Sequence, residues 1–177
     1  MADEKRTFSR IETALKVYMR RVGPDAGFPV GFDCPGCEIK SDLDEVKHSG
    51  LPPALSDFLI ELDRKLDILI SLSSRKMIQE DYPLQGQVVE ISGAGVLCRI
   101  AEPFRSDDHL EMILVLSSFP LALAGVVGRV VRKETEDAAG IPVWAVEFVK
   151  VRDADLEQIV QFVFKEQRAR IREQKWS

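Results

Sequence analysis

The sequence has few of the residues on which catalysis and cross-linking depend. It contains three cysteines and two histidines in 177 residues. An odd, small number of cysteines does not form a disulfide framework. The histidines, His48 and His109, lie in polar, loop-like segments with no nucleophile pattern beside them. We therefore expect a protein that is not an enzyme and that carries no catalytic residues.

Long apolar runs are also missing. The longest, Phe119 to Val127, is too short to cross a bilayer and is interrupted by Pro120 and Gly125. The first residues, Met-Ala-Asp-Glu-Lys-Arg, lack the apolar region of a signal peptide. These absences predict a cytoplasmic protein without a membrane span.

The charge balance argues against a general nucleic-acid binder. The net charge is −5, whereas such proteins need a basic field that replaces the counterions of the phosphates. Both ends of the chain are nevertheless basic, so a local site for a small anion remains possible. These basic residues are Lys5, Arg6 and Arg10, and then Lys165, Arg168, Arg170, Arg172 and Lys175.

Three regions differ in pattern. Residues 1–22 hold an arginine-rich start and a strand, because one face of the segment from Ile11 to Arg20 is formed at period two by Ile11, Thr13, Leu15, Val17 and Met19. Residues 23–83 begin with a loop rich in glycine and proline and continue into an amphipathic helix, 53–77. In this helix Leu55, Leu59, Leu62, Leu66 and Leu69 recur with alternating spacings of four and three, which predicts the seam of a short coiled coil or bundle.

Residues 84–177 alternate short apolar segments with turn-like ones. Strands are predicted at Gln87–Ile91, Val96–Ile100, Leu110–Leu116, Ala124–Lys133 and Pro142–Val149, and a closing helix at 153–173. Regular short strands of this kind are typical of an antiparallel barrel or sandwich. The predicted fold class is therefore mainly β with helices (α+β).

Two short motifs carry a functional interpretation. Arg6 and Arg10 stand four apart directly before the first strand, and Glu90-Ile91-Ser92-Gly93-Ala94-Gly95 ends a strand in a glycine-rich turn. With the downstream strands and the terminal helix, the chain resembles the PilZ domain family, which is marked by R-x-x-x-R and (D/N)-x-S-x-x-G segments. The resemblance covers about residues 5–21 and 84–170. It implies a six-stranded antiparallel β-barrel with a long helix inserted between its first two strands.

The resemblance also implies binding of cyclic di-GMP, a bacterial second messenger, without a cofactor. Its contacting set would be Arg6, Arg10, Glu90, Ser92 and Gly95. Guanidinium groups offer planar donors to phosphate and to guanine, a hydroxyl and a carboxylate add hydrogen bonds, and glycine permits close approach. The protein would be a receptor or adaptor that relays the level of the messenger to an unknown downstream protein.

Alternatives remain open for this site. Position 90 is Glu where the family pattern has Asp or Asn, and the longer side chain must be placed differently. The barrel could be a degenerate PilZ-like scaffold that binds no nucleotide. The two arginines could also be solvated charges on a frayed terminus, and the serine-glycine segment a simple hairpin turn.

Cys34 and Cys37 form a C-x-x-C turn that could supply half of a zinc site. No second such pair exists, His48 is the nearest further ligand, and Cys98 and His109 are distant in sequence. Two reduced cysteines in a turn are therefore favoured over a metal site. Asp107, Asp108 and Glu111 form an acidic cluster. Here too a metal site is less favoured, and the cluster is interpreted as a solvated turn between strands.

The inserted helix is not needed to complete a PilZ barrel, so its leucine seam requires a partner. Self-association is the simplest source. We therefore predict a homo-oligomer, a dimer or tetramer, built on residues 53–77.

Overall fold

A computed structural model describes residues 9–29, 46, 48 and 50–176. Six strands and two long helices account for most of these residues. They are β1 (Ile11–Val22), α1 (Pro53–Asp81), β2 (Leu84–Ser92), β3 (Gly95–Arg99), β4 (His109–Ser118), β5 (Leu121–Glu136), β6 (Pro142–Val151) and α2 (Asp153–Trp176). The predicted mainly β fold with helices is confirmed, and α1 ends four residues later than the sequence pattern predicts.

The strands close into an antiparallel barrel in the order β1-β2-β3-β6-β5-β4. Closure depends on β1, which pairs with β2 on one side and with β4 on the other. Ile11 lies opposite Ile91, and Val22 lies opposite His109. The start of β1, the end of β2 and the start of β3 therefore meet at one end of the barrel.

Period-two alternation explains why these segments fold as strands around one core. Side chains of alternate residues point inward and are fully buried, as Val17 and Met19 are on β1 and Val88 is on β2. Burial of such a side chain contributes about 1.5–3 kcal/mol relative to exposure. Cys98 lies in the same core, where burial raises the pKa of its thiol and keeps it protonated.

Helix α2 closes the barrel core. Ile159 and Val163 are buried among the strands' apolar side chains. Asp155, in the first turn, accepts a hydrogen bond of 3.1 Å from the backbone N–H of Gly125 on β5. An acidic residue in the first turn also complements the helix dipole. The helix is therefore fixed to the barrel at its N-terminal end.

Helix α1 packs on the outer face of the barrel through its second half. Ile78 and the following Tyr82 form a small apolar cluster with Tyr18, Ile113 and Val115, and Leu121 completes it. The hydroxyl of Ser71 donates a 2.9 Å hydrogen bond to the carbonyl of Ser118. No helix in the described part of the chain is long and apolar enough to cross a lipid bilayer.

A buried carboxylate ties the end of α1 to the barrel. Glu111 on β4 is 5% exposed and accepts hydrogen bonds from Arg20 (2.9 and 2.6 Å) and from the Tyr82 hydroxyl (2.8 Å). Burial, followed by the bond to Glu111, raises the pKa of Tyr82, so its hydroxyl remains a donor. The interpretation of Glu111 as part of a solvated turn is therefore wrong: it lies on a strand, and two donors compensate its burial.

Candidate functional site

Four of the five predicted site residues lie at the end of the barrel where β1 begins: Arg10, Glu90, Ser92 and Gly95. Arg10 immediately precedes β1, and its Nη1 lies 3.1 Å from Oε1 of Glu90 on β2. The side chains are 52% and 28% exposed, so the pair is accessible to a ligand. Arg10 thus lies over the strand that leads into the serine-glycine turn.

Ser92 shapes the turn between β2 and β3. Its hydroxyl oxygen accepts a 3.2 Å hydrogen bond from the Ala94 N–H and donates one of 3.2 Å to the Gly95 carbonyl. The Ala94 carbonyl in turn accepts a 2.8 Å bond from the Phe148 N–H on β6. A serine here therefore has a local structural role, because it fixes a tight turn whose backbone is held against the neighbouring strand.

Gly95 is required by close packing of two strands. A Cβ at this position would lie 2.4 Å from the backbone oxygen of Val146 and 3.1 Å from Cα of Glu147. Backbone atoms cannot move aside as a flexible side chain can, so a larger residue would push β3 away from β6.

A row of polar side chains continues from Gly95 across the outer face. Gly95 lies opposite Glu147 on β6, and Glu147 lies opposite Arg129 on β5. Arg129 donates through Nε to Glu147 at 2.8 Å and lies 3.3 Å from Asp107 through Nη1. The hydrogen bond to Glu147 is the main cause that raises the pKa of Arg129. This pair was not predicted from the sequence, although both residues alternate with the buried Val130 and Val146 and thus face outward.

Another ion pair, between Arg170 and Glu12, lies beside the pair of Arg10 with Glu90. Glu12 stands directly opposite Glu90 in the β1–β2 ladder. Arg170, near the end of α2, lies 3.6 Å through Nη1 from the Glu12 carboxylate, and its Nη2 donates to the Glu12 backbone carbonyl. The C-terminal helix therefore reaches the edge of the candidate site, a contact that sequence spacing does not predict because 158 residues separate the partners.

Not all of the predicted residues belong to the described part of the chain. Arg6, Cys34 and Cys37 lie outside the described residues. Within the ranges described, no group of three His, Cys, Asp or Glu side chains could hold a metal ion. A cleft of about 500 Å³ is present, but it lies beside Arg21 and Phe104 and does not include the residues of the candidate site.

Comparison with known proteins supports the assignment of the fold. The model of the PilZ domain family matches residues 64–165, a span that contains Glu90, Ser92 and Gly95 but not Arg10. A comparison with curated proteins gives no significant match.

Among the solved structures that resemble the chain, three show the likeness at low sequence identity over most of its length. A tetrameric PilZ protein of Xanthomonas campestris, self-assembled through a helical bundle, has a TM-score of 0.56 and 16% identity over 92% of this chain and 89% of its own. The motility inhibitor MotI/DgrA of Bacillus subtilis has a TM-score of 0.53 and 12% sequence identity, and the match covers 93% of this chain and 51% of that protein. YcgR of Escherichia coli, solved with c-di-GMP, has a TM-score of 0.52 and 10% sequence identity, and the match covers 98% of this chain and 51% of YcgR.

The chain thus spans about half the length of the motility inhibitor and of YcgR. The likeness to these structures lies in the fold, and the family model covers more than half of the chain. Together with the closed barrel, the match shows that this chain belongs to the PilZ domain family.

Proposed function

We propose that this protein is a receptor for cyclic di-GMP that binds the nucleotide where its N-terminal segment meets the β2–β3 turn. The observation that carries the proposal is the 3.1 Å pair between Arg10 and Glu90. It brings the second arginine of the R-x-x-x-R segment onto strand β2, which ends at Ser92 and is followed, after a tight turn, by Gly95 at the start of β3. YcgR, which shares the fold, was solved with this ligand.

The chemistry of the described residues suits such a ligand. A guanidinium group can form two parallel hydrogen bonds with a phosphate or with the O6 and N7 atoms of guanine. Glu90 keeps an accessible carboxylate that can accept hydrogen bonds from a guanine edge. The Arg129–Glu147 pair continues the polar row from Gly95 across the outer face, so a compact dianion can lie along this face of the barrel. A change at this site would then be relayed to a partner protein.

Isothermal titration calorimetry tests the proposal. We expect the wild-type protein to bind cyclic di-GMP and Arg10→Ala to bind it at least about tenfold more weakly, because a charge-assisted hydrogen bond is lost. Arg132→Ala is the matched control, since Arg132 pairs on the surface with Glu134 on β5 and not with Glu90. Equal affinities of the two variants, or no heat with the wild-type protein at high micromolar concentrations, would contradict the proposal.

Glu90→Asp is expected to bind cyclic di-GMP more tightly than the wild-type protein, by about twofold to fivefold. The shorter side chain restores the family pattern and weakens the ion pair with Arg10, which competes with the ligand for the guanidinium group. The same titration measures the difference. Weaker binding by Glu90→Asp would mean that the longer carboxylate is adapted to this site.

The exposed leucine row on α1 supports a second proposal, that copies of the chain associate through this helix. Its five leucines are 37% to 62% exposed although they repeat with the spacing of a helical bundle: Leu55, Leu59, Leu62, Leu66 and Leu69. Among the described residues, Ser71 and Ile78 in the second half of α1 hold the helix on the barrel. A contiguous apolar surface of this kind marks an association site in soluble proteins.

The relative from Xanthomonas campestris assembles as a tetramer through a helical bundle, which is the arrangement that the leucine row would allow. An oligomeric scaffold that binds no nucleotide is the rival function. It is favoured by the glutamate at position 90 and by the local structural roles of Ser92 and Gly95. The titration described above separates the two functions, since only the receptor releases or absorbs heat with the ligand.

A further inference from the structure

The candidate site contains two carboxylates that repel each other. Glu12 and Glu90 are directly opposite in an antiparallel pair, which places their Cβ atoms about 4.5–5.5 Å apart. Like charges in this position are destabilising. Each carboxylate has its own arginine from outside the barrel: Arg10 for Glu90, and Arg170 for Glu12.

The two arginines come from different parts of the chain. Arg10 belongs to the segment before β1, whereas Arg170 lies near the end of α2. The side chains of residues 168–174, in the last turns of α2, are exposed. The contact of Arg170 with Glu12 is therefore a docking point for that end of the helix. The pair of carboxylates therefore connects the N-terminal segment electrostatically with the C-terminal helix.

From this arrangement we infer that Arg170 is a positioning residue of the site, acting through Glu12, and that it couples docking of α2 to the state of Arg10. A ligand phosphate that draws Arg10 away from Glu90 leaves Arg170 as the main cation beside two carboxylates. Its attraction to them increases, so the end of α2 docks more tightly. Coupling to a ligand rests on the proposed function; coupling between the two arginines does not.

Hydrogen exchange without any ligand tests the coupling directly. Arg10→Ala imitates the withdrawal of Arg10 from Glu90. We expect backbone amides of residues 165–174 to exchange about twofold more slowly in this variant than in the wild-type protein, in line with the strength of exposed ion pairs. The slowing should disappear in Arg10→Ala/Glu12→Gln, where the repelling pair is gone. Unchanged or faster exchange in Arg10→Ala would overturn the inference.

Titration with cyclic di-GMP provides the second readout. Arg170→Ala should weaken binding about twofold to fivefold at low salt, and the loss should fade as added salt screens the exposed charges. Arg172→Ala removes the same charge from the same helix and should leave the affinity unchanged.

Rescue distinguishes positioning from direct contact. Glu12→Gln/Arg170→Ala should recover wild-type affinity, because the carboxylate that needed Arg170 is absent. Failure of this rescue, or an equal loss in Arg172→Ala, would contradict the role of Glu12. Failure of the wild-type protein to bind would instead refute the proposed function, while the exchange experiment would still decide the coupling.

Discussion

Replacing Leu59 and Leu66 together by aspartate is expected to abolish the self-association that we propose for α1 and to leave a monomer. The two leucines are 37% and 49% exposed and lie seven residues apart, so they occupy equivalent positions of one helical seam. Burial of a leucine contributes about 1.5–3 kcal/mol, and an aspartate buried in its place would be an unpaired charge. Every copy in a bundle carries both substitutions, which multiplies the effect.

Analytical ultracentrifugation at tens of micromolar measures this change in mass. Arg64→Asp is the matched control: it introduces the same carboxylate on the same helix but off the leucine seam. We expect it to leave the oligomer intact. A monomeric wild-type protein, or an oligomer that persists in the double variant, would show that α1 does not hold copies together.

Arg20→Ala is expected to lower the free energy of unfolding by about 2 kcal/mol. Removal of one partner from a buried ion pair typically costs about 3–5 kcal/mol, because the remaining charge is left uncompensated. The loss should be smaller here because the Arg20 side chain is itself 38% exposed, so water can reach part of the site. The guanidinium group also lies 4.9 Å from the ring centroid of Tyr82, a contact that disappears too.

Urea denaturation at a fixed protein concentration measures the effect, since association would otherwise shift the apparent stability. The control is Arg132→Ala, which removes the same group from an exposed pair and should change the stability by no more than about 0.5 kcal/mol. Equal stabilities of the two variants would mean that Glu111 is solvated in spite of its burial. Loss of this network would also remove one of the contacts that hold the end of α1 on the barrel, because Tyr82 follows the helix directly.

Local patterns were sufficient to predict the elements of the fold. Alternation of apolar residues predicts β1, and the sheet confirms it with Val17 and Met19 buried inside. The four-and-three spacing of the leucines predicts α1, because residues at these distances share one face of a helix. Such patterns depend only on neighbouring residues, so they can be identified without knowledge of the tertiary structure.

The contacts around the site could be predicted only in part. The resemblance to the PilZ family points to Arg10, Glu90, Ser92 and Gly95, and the structure brings Arg10 onto Glu90. The packing reason for Gly95 depends on the approach of β6. Sequence spacing carries no information about such pairings between distant segments.

The same limit applies to the charged neighbours of the site. The pair of Arg129 with Glu147 follows from the strand order, and that of Arg170 with Glu12 follows from the path of α2 across the barrel. Glu111 shows the opposite error: its acidic neighbours Asp107 and Asp108 suggested exposure, whereas the register of β4 turns it toward Arg20 and Tyr82.

Amide chemical shifts recorded during a titration with cyclic di-GMP test most directly whether the nucleotide occupies the junction of the N-terminal segment and the β2–β3 turn. Binding there should shift the amides of Ser9 to Glu12 and of Ser92 to Gly95 together, in proportion to saturation. Amides in the first half of α1 should not move. No shift at saturating nucleotide, or shifts confined to other parts of the barrel, would contradict the proposed receptor.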